Sequence, residues 1–296
     1  MKRNKILHHI EYCSLRTVLF VLRVLPYKLS MAFIRCLVVG IGYHAGVRKI
    51  VALRQIEMVY PEKSLADRRA LLKKLYLYMA LMVGEIYVMR EKKLIANSSF
   101  QGMEYIEAAF AMGRGAILAT AHFGNWEAAR VFPKFGIPVS VIVKRQRNIL
   151  FDRFNNAIRG KHGVGVIDMR RGLRDIITCL HKNEMVAILA DQNAGKAGIV
   201  LDFLGFPASH WKGVAKLSLR YKIPIIPGFA LMTEGSHIRF CFEPPIYHPE
   251  LDDNEENYAI VLGEINAVVE RYIRDYPEQW FWVHKRWKGA YDMFAG

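Results

Sequence analysis

At 296 residues the chain is long enough to bury a full core, as one large domain or as a domain with an appendage. Hydrophobic residues make up 52% and aromatic residues 12%, which excludes a disordered chain. With 42 Lys and Arg against 27 Asp and Glu the net charge is +15, and so lopsided a balance implies an anionic partner: nucleic acid, a membrane surface, or an acidic protein or substrate.

Residues 1–98 read as helical. The first 54 hold ten Lys and Arg against one acid, Glu11, and interleave them with apolar residues such as Leu15, Val18, Leu22, Leu29 and Phe33. That is the composition of a basic amphipathic segment on anionic lipid. Arg16, Arg23, Lys28 and Arg35 interrupt every apolar run, and the longest clean stretch, 36–47, falls short of the ~20 residues a span requires. No compact apolar region with a small-residue cleavage site marks a signal peptide. Monotopic attachment to the inner, cytoplasmic face of the cell membrane is therefore expected, with a tilted or re-entrant helix as the lesser reading. Cys13, Cys36, Cys179 and Cys241 are scattered, without a CxxC pair, so neither a disulfide framework nor a zinc site is expected. Residues 67–90 place Leu71, Leu72, Leu75, Tyr78, Met79, Met82, Val83 and Ile86 at a helical period, with Glu85 among them. Glu85 reads as an exposed face, or less readily as a group orienting a site residue.

From residue 115 the pattern changes to alternating strands and helices. Strands are predicted at 116–121, 139–143, 164–167, 185–190, 225–229 and 238–242, and helices at 126–135, 148–161, 171–182, 211–221 and 257–276. This order predicts an α/β fold, a mixed sheet flanked by helices, preceded by the N-terminal helical membrane-associated segment. The division expected is 1–98 for that segment and 99–296 for the α/β core.

Such sheets bind ligands at the carboxyl edges of their strands. His122 follows one predicted strand, Lys144 and Arg145 another, Asp168 and Arg170 a third, Asp191 and Gln192 a fourth. In the run Ala-His-Phe-Gly-Asn-Trp-Glu, His122 and Glu127 are five positions apart in number with four residues between them. Histidine suits a general base near neutral pH, and a carboxylate in the next turn can fix its tautomer. The plainer reading of Glu127 is charge compensation at a helix start. Asn125 suits a helix cap or an oxyanion donor. Arg159 and Arg170 suit phosphate or acidic-carrier contacts, or else solvated helix faces. Trp280, Trp282 and Trp287 read as core or interfacial anchors, and His284 and Arg286 as structural. There is no GxxxxGK[ST], GxGxxG or GxSxG. With no nucleophile near the base, direct attack of an acceptor hydroxyl on an acyl carbonyl fits better than a covalent intermediate.

These residues also resemble a family. The His-x4-acid pair His122 and Glu127, the Lys144-Arg145-x-x-Asn148 stretch, Arg159, Asp191-Gln192, Phe203-x-Gly205 and above all the run Pro277-Glu278-Gln279-Trp280-x-Trp282-x-His284-x-Arg286-Trp287-Lys288 are similar to the lipid A biosynthesis late acyltransferases, in the lysophospholipid acyltransferase superfamily. The resemblance implies a glycerolipid acyltransferase-like core and an enzyme of the inner membrane. It implies transfer of a fatty acyl chain from acyl carrier protein, or from coenzyme A, to a hydroxyl of a lipid A precursor, with no further cofactor and no metal. His122 and Glu127 would be the catalytic pair, and Lys144, Arg145, Arg159, Asp191 and Gln192 would bind substrate, joined on the residue reading above by Asn125 and Arg170. Partners would be the acyl carrier protein, anionic inner-membrane lipids and the glycolipid acceptor, and not nucleic acid. The chain departs from the family pattern in Ser209, His210 and Trp211, where threonines are common. The alternatives are a related acyltransferase acting on a phospholipid, an ornithine-type lipid or another glycolipid, and a basic membrane- or nucleic-acid-binding protein without catalysis.

Overall fold

Uncharged runs of five to eight apolar residues form strands that are covered on both faces, as parallel strands inside an α/β sheet must be. The computed structural model describes residues 2–170 and 172–289. Its N-terminal part is helical: α1 Lys2–Val24, α2 Tyr27–Val38 running into a π-helical turn Val39–His44, α3 Lys49–Val59, α4 Leu65–Tyr87 and α5 Glu91–Ala96. Pro26 separates α1 from α2, and the Ser64 hydroxyl caps α4 by accepting from the Asp67 N–H. Then follow β1 Ser98–Gln101, α6 Met103–Ala111, β2 Ala116–Thr120, a 3-10 segment Trp126–Phe135, β3 Val139–Val143, α7 Ile149–Lys161, β4 Gly165–Asp168, α8 Gly172–His181 and β5 Met185–Leu189. A hairpin of β6 Ile199–Phe203 and β7 Phe206–His210 leads to α9 Gly213–Tyr221, β8 Ile225–Met232, β9 Ile238–Phe242 and α10 Glu255–Asp275.

The main sheet has the order β1-β9-β8-β2-β5-β3-β4, and every neighbouring pair is parallel except β8 with β9. It is the expected mixed sheet flanked by helices. Alternate residues of β2 divide the core: Ile117 and Ala119 join a cluster with α3, α4, α9 and α10, while Ala116 and Leu118 join one with α5, α6 and the 3-10 segment. The core does not divide at residue 98. Ile56 and Leu72 share one cluster with Ile117, Val186 and Trp282. Gln55 on α3, fully buried, donates to the carbonyls of Trp282 (2.5 Å) and His284 (2.8 Å) and accepts from the Arg286 N–H (2.8 Å).

Three local expectations change. The helix predicted from 126 is a 3-10 segment with Pro133 inside it. The helix predicted over 171–182 runs from Gly172, with Arg171 outside the described residues. The strand β1 and the β6–β7 hairpin were not anticipated. Among the described residues no single helix is long and apolar enough to cross a membrane; the bent pair Tyr27–His44 with Lys49–Val59, at 73°, meets that test together. Phe20 and Val24 on α1 and Leu29 and Phe33 on α2 stand exposed.

Candidate active site

The turn after β2 is built by close backbone approach. Gly124 has φ 57°, and a Cβ there would lie 2.0 Å from the Ala230 carbonyl oxygen. The Gly124 N–H donates to the Gln279 carbonyl and the Asn125 N–H to that of Ala230, while the His122 carbonyl accepts from the Phe281 N–H. Phe123 fills the core between Phe229 and Tyr272. His122 is thereby fixed at the carboxyl edge of the sheet, with Trp126 edge-on to its ring at 5.0 Å and Phe281 at 6.0 Å.

The carboxylate that meets His122 is Asp191. Strands β2 and β5 are neighbours with Thr120 opposite Leu189, so two residues further on His122 stands opposite Asp191. His122 Nδ1 lies 2.8 Å from Asp191 Oδ1, and Asp191 Oδ2 accepts from the His122 backbone N–H (3.0 Å) and from Trp280 Nε1 (2.9 Å). Burial pushes the Asp191 carboxyl up, but the His122 ring, the His122 backbone N–H and Trp280 Nε1 outweigh it and hold the carboxyl below its ordinary value. An ionised Asp191 requires the Nδ1–H tautomer of a neutral His122, which leaves Nε2 as the acceptor. Gln192 Nε2 lies 3.2 Å from it.

Glu127 does not hold His122, which corrects the expectation from spacing. Its carboxylate pairs with Arg159 on α7, whose Nε donates to Oε2 at 3.1 Å and whose terminal nitrogen meets Oε1. Glu127 is the second residue of the 3-10 segment, and its side chain meets α7 across the cavity wall rather than turning back to His122. Arg159 is likewise committed, to Glu127 and Asn156 rather than to open solvent. Asn125 makes no cap hydrogen bond and presents nothing to a ligand; it is fully buried, with Nδ2 donating to Glu85. Lys144, Arg145 and Arg170 are exposed at the ends of β3 and β4, one and two strands beyond β5.

Beneath this edge an apolar cavity lies between the sheet, the 3-10 segment and α7. Leu118, Val141, Ala187, Phe132, Phe240 and Phe242 line it, with Trp126, Glu127, Arg130 and Arg159 as its polar wall. Trp126 touches both the cavity and the His122 ring.

Behind Asp191, whose charge acts on it, sits a cation that makes no direct ion pair among the described residues. Arg286 is fully buried, donates to the Ser209 carbonyl (2.6 Å) and to His210 Nδ1 (2.9 Å), and covers the Phe203 ring at 4.8 Å. Burial and the adjacent guanidinium push His210 down to about 3, so it is a neutral acceptor. Sequence reasoning read Trp280 and Arg286 as structural; the distinctive Trp-rich run was the signal that its residues meet at one place. Among the described residues no group of three His, Cys, Asp or Glu is placed to hold a metal.

The model of a family described as bacterial lipid A biosynthesis acyltransferase matches residues 1–289. The chain is 26% identical over 275 residues to a lipid A biosynthesis acyltransferase of Haemophilus influenzae, covering 90% of this chain and 83% of that one. It is 28% identical to the lipid A biosynthesis lauroyltransferase of Escherichia coli, over 81% of this chain and 79% of the other. A phosphatidylinositol mannoside acyltransferase of Mycobacterium tuberculosis is 27% identical over 63% of this chain and 58% of its own length.

Proposed function

This chain belongs to the bacterial lipid A biosynthesis acyltransferase family, and from that premise we propose that it transfers a fatty acyl chain from a thioester donor to a hydroxyl of a lipid A precursor. The observation that carries the reading is the His122–Asp191 pair, two residues past Thr120 and Leu189 of an apolar cavity's lining and joined to that lining by Trp126. His122 Nε2 takes the proton of the acceptor hydroxyl, and the oxygen attacks the thioester carbonyl. Asp191 stabilises the imidazolium that forms and keeps the ring in register. As the C–S bond breaks, His122 returns the proton to the leaving thiolate. The new bond is the ester C–O, and no covalent enzyme intermediate is needed. The Gln192 amide, 3.2 Å from Nε2, occupies the place that the acceptor hydroxyl takes.

The acyl chain lies in the cavity lined by Leu118, Val141, Phe132 and Phe240. Glu127 and Arg159, paired across its polar wall, hold the 3-10 segment against α7 rather than acting on a proton. The donor is carried by acyl carrier protein or coenzyme A. Either is anionic, as are the acceptor phosphates and the leaflet, and the exposed Lys144, Arg145 and Arg170 suit such partners. Attachment is to the cytoplasmic face of the inner membrane, through the exposed apolar residues of α1 and α2 with the basic residues between them.

The test is mass spectrometry of membrane glycolipids from cells with and without the gene, with His122→Ala as control. Lipid A short of one acyl chain, restored by the wild type and not by the variant, is the expected result. Unchanged lipid A with another lipid losing an acyl group moves the acceptor, in the direction of the mannoside-acylating relative. Restoration by His122→Ala sinks the assignment of the base.

A further inference from the structure

Glu85 lies in the last turns of α4 and is wholly buried. A buried carboxylate persists only when paired, and this one has no paired cation. Arg130 is close, but its guanidinium donates instead to the backbone carbonyls of Glu85 (2.6 Å) and Ile86 (3.3 Å). What meets the Glu85 carboxyl is the Asn125 amide, whose Nδ2 donates to Oε2 at 2.6 Å. On these same two side chains, Glu85 Oε1 and Asn125 Oδ1 are both buried and both lack a donor. Two orphaned acceptors on side chains already joined by a hydrogen bond share one remedy. A proton on Oε1, donated to Oδ1, closes the two-bond ring of a carboxylic acid with a primary amide. An ionised Glu85 leaves both oxygens unpaired.

We propose that Glu85 is a positioning residue held as the neutral acid, which locks the His122–Glu127 turn onto α4 through a two-point acid–amide pair with Asn125. The Asn125 bond is a buried tie from that turn to α4, and Arg130, further along the same 3-10 segment, adds a second to the Glu85 carbonyl. The Asn125 N–H is fixed to the Ala230 carbonyl, so the amide that grips Glu85 also sets the chain path from His122 into the 3-10 segment. On its other side α4 packs against α2, where Gly84 admits Met31 into the space a side chain would need. The lock therefore joins the membrane-side helices to the catalytic turn.

Burial pushes the Glu85 carboxyl up to about 7, with the Asn125 bond and the Arg130 charge drawing it partly back. The ionisable groups around it are Tyr27 from α2, with Arg35 further along that helix, and Arg130 from the 3-10 segment, with Glu127 behind it. Glu278 faces Tyr78, nearly two turns earlier on α4. His44 of the π-helical turn and Glu57 of α3 lie toward the other end of α4, beside Tyr43 and Arg68. Burial raises the Tyr27 hydroxyl further above its ordinary value, so it stays neutral beside Glu85.

The proposal rests on the acyl-transfer reading only for its activity measurement. The experiment is infrared difference spectroscopy of purified wild type against Glu85→Gln from about pH 5 to about pH 9, with acyl-transfer pH profiles of both and of Glu85→Ala. A protonated-carboxyl band is expected in the wild type, absent from Glu85→Gln, that fades as the pH rises through neutrality. Glutamine reproduces both bonds of the neutral acid, so Glu85→Gln is expected to retain kcat near the wild-type value and to lose the alkaline fall that Glu85 causes. Glu85→Ala leaves the amide unpaired and is expected to lose kcat by about tenfold or more with KM little changed. Absence of the carboxyl band at neutral pH overturns the proposal, as does a Glu85→Gln enzyme as impaired as Glu85→Ala. If the wild type transfers no acyl group at all, the acyl-transfer reading fails, and the infrared band still decides the state of Glu85.

Discussion

At the scale of single residues, the decisive fact is which carboxylate meets His122. Asp191 accepts three hydrogen bonds and is buried, so its charge and position are fixed before substrate arrives. Asp191→Asn removes the acceptor for Nδ1–H and favours the wrong tautomer, and is expected to lower kcat about 10²- to 10⁴-fold with KM nearly unchanged, as steady-state kinetics on the folded variant will read. Glu127→Gln is expected to cost less, and its effect on kcat is expected to overlap with that of Arg159→Ala in a double-mutant cycle, since each removes the same ion pair. An additive cycle would show that the two residues act separately. Both His122 and Asp191 were legible in the sequence, each as a polar residue just past an apolar run. Their pairing was not, because it depends on strand order: β3 and β4 come between β2 and β5 in the chain, yet the sheet sets β5 directly beside β2. Glu127 was assigned to the base as the carboxylate in the turn after His122 and as the acid of a His-x4-acid motif; in the structure it stands at the start of a 3-10 segment and pairs with Arg159 on α7 instead. Asn125 was read as a cap or a ligand contact because a buried partner on a distant helix leaves no trace in local spacing.

At the scale of elements, short largely apolar runs were readable as strands, and β3 and β9 lie where the pattern placed them although Ser140 and Arg239 interrupt them. The strand β1, Ser98–Gln101, has no apolar run, and pairing with β9 supplies what its composition does not. The hairpin hides for another reason: Leu204 and Gly205, both at positive φ, reverse a chain whose two arms alternate only weakly. A more consequential device is Gln55, which fastens α3 to the carboxyl-terminal run at three backbone groups. That run carries Trp280 to Asp191, so α3 helps set the site although it touches no reacting atom. Gln55→Ala strands two carbonyls and one N–H in the core and is expected to destabilise the fold by about 3 kcal/mol, visible as a lower urea midpoint at unchanged m. Gln55→Glu keeps the acceptor but loses the donors, so it is expected to be no milder. A midpoint shift within experimental scatter would mean that water replaces all three bonds and that α3 does not register the run.

At the scale of the whole molecule, charge and apolar exposure coincide at the N-terminus. Phe20 is 69% exposed and Val24 71%, and Arg16 and Arg23 lie within a turn or two of them. In the proposed attachment to an anionic bilayer two forces act: insertion of apolar side chains, which salt does not screen, and attraction of the basic residues, which it does. The two separate by experiment. Burying a side chain such as Phe20 is worth about 2 kcal/mol, so Phe20→Asp is expected to weaken binding to vesicles of mixed anionic and zwitterionic lipid by at least about tenfold. Val24→Asp is expected to act in the same direction. Neither side chain packs in the core, so thermal stability in solution is expected to stay close to wild type. Raising the salt is expected to remove only part of the wild-type binding and nearly all that remains in the two variants. Because α1 also packs on α7 through Tyr12 and Phe154, the helix proposed to meet the bilayer leans on the helix that holds Arg159. Vesicle binding that is unchanged by both substitutions and abolished by salt alone would assign the attachment to charge, and would move the contact surface away from α1.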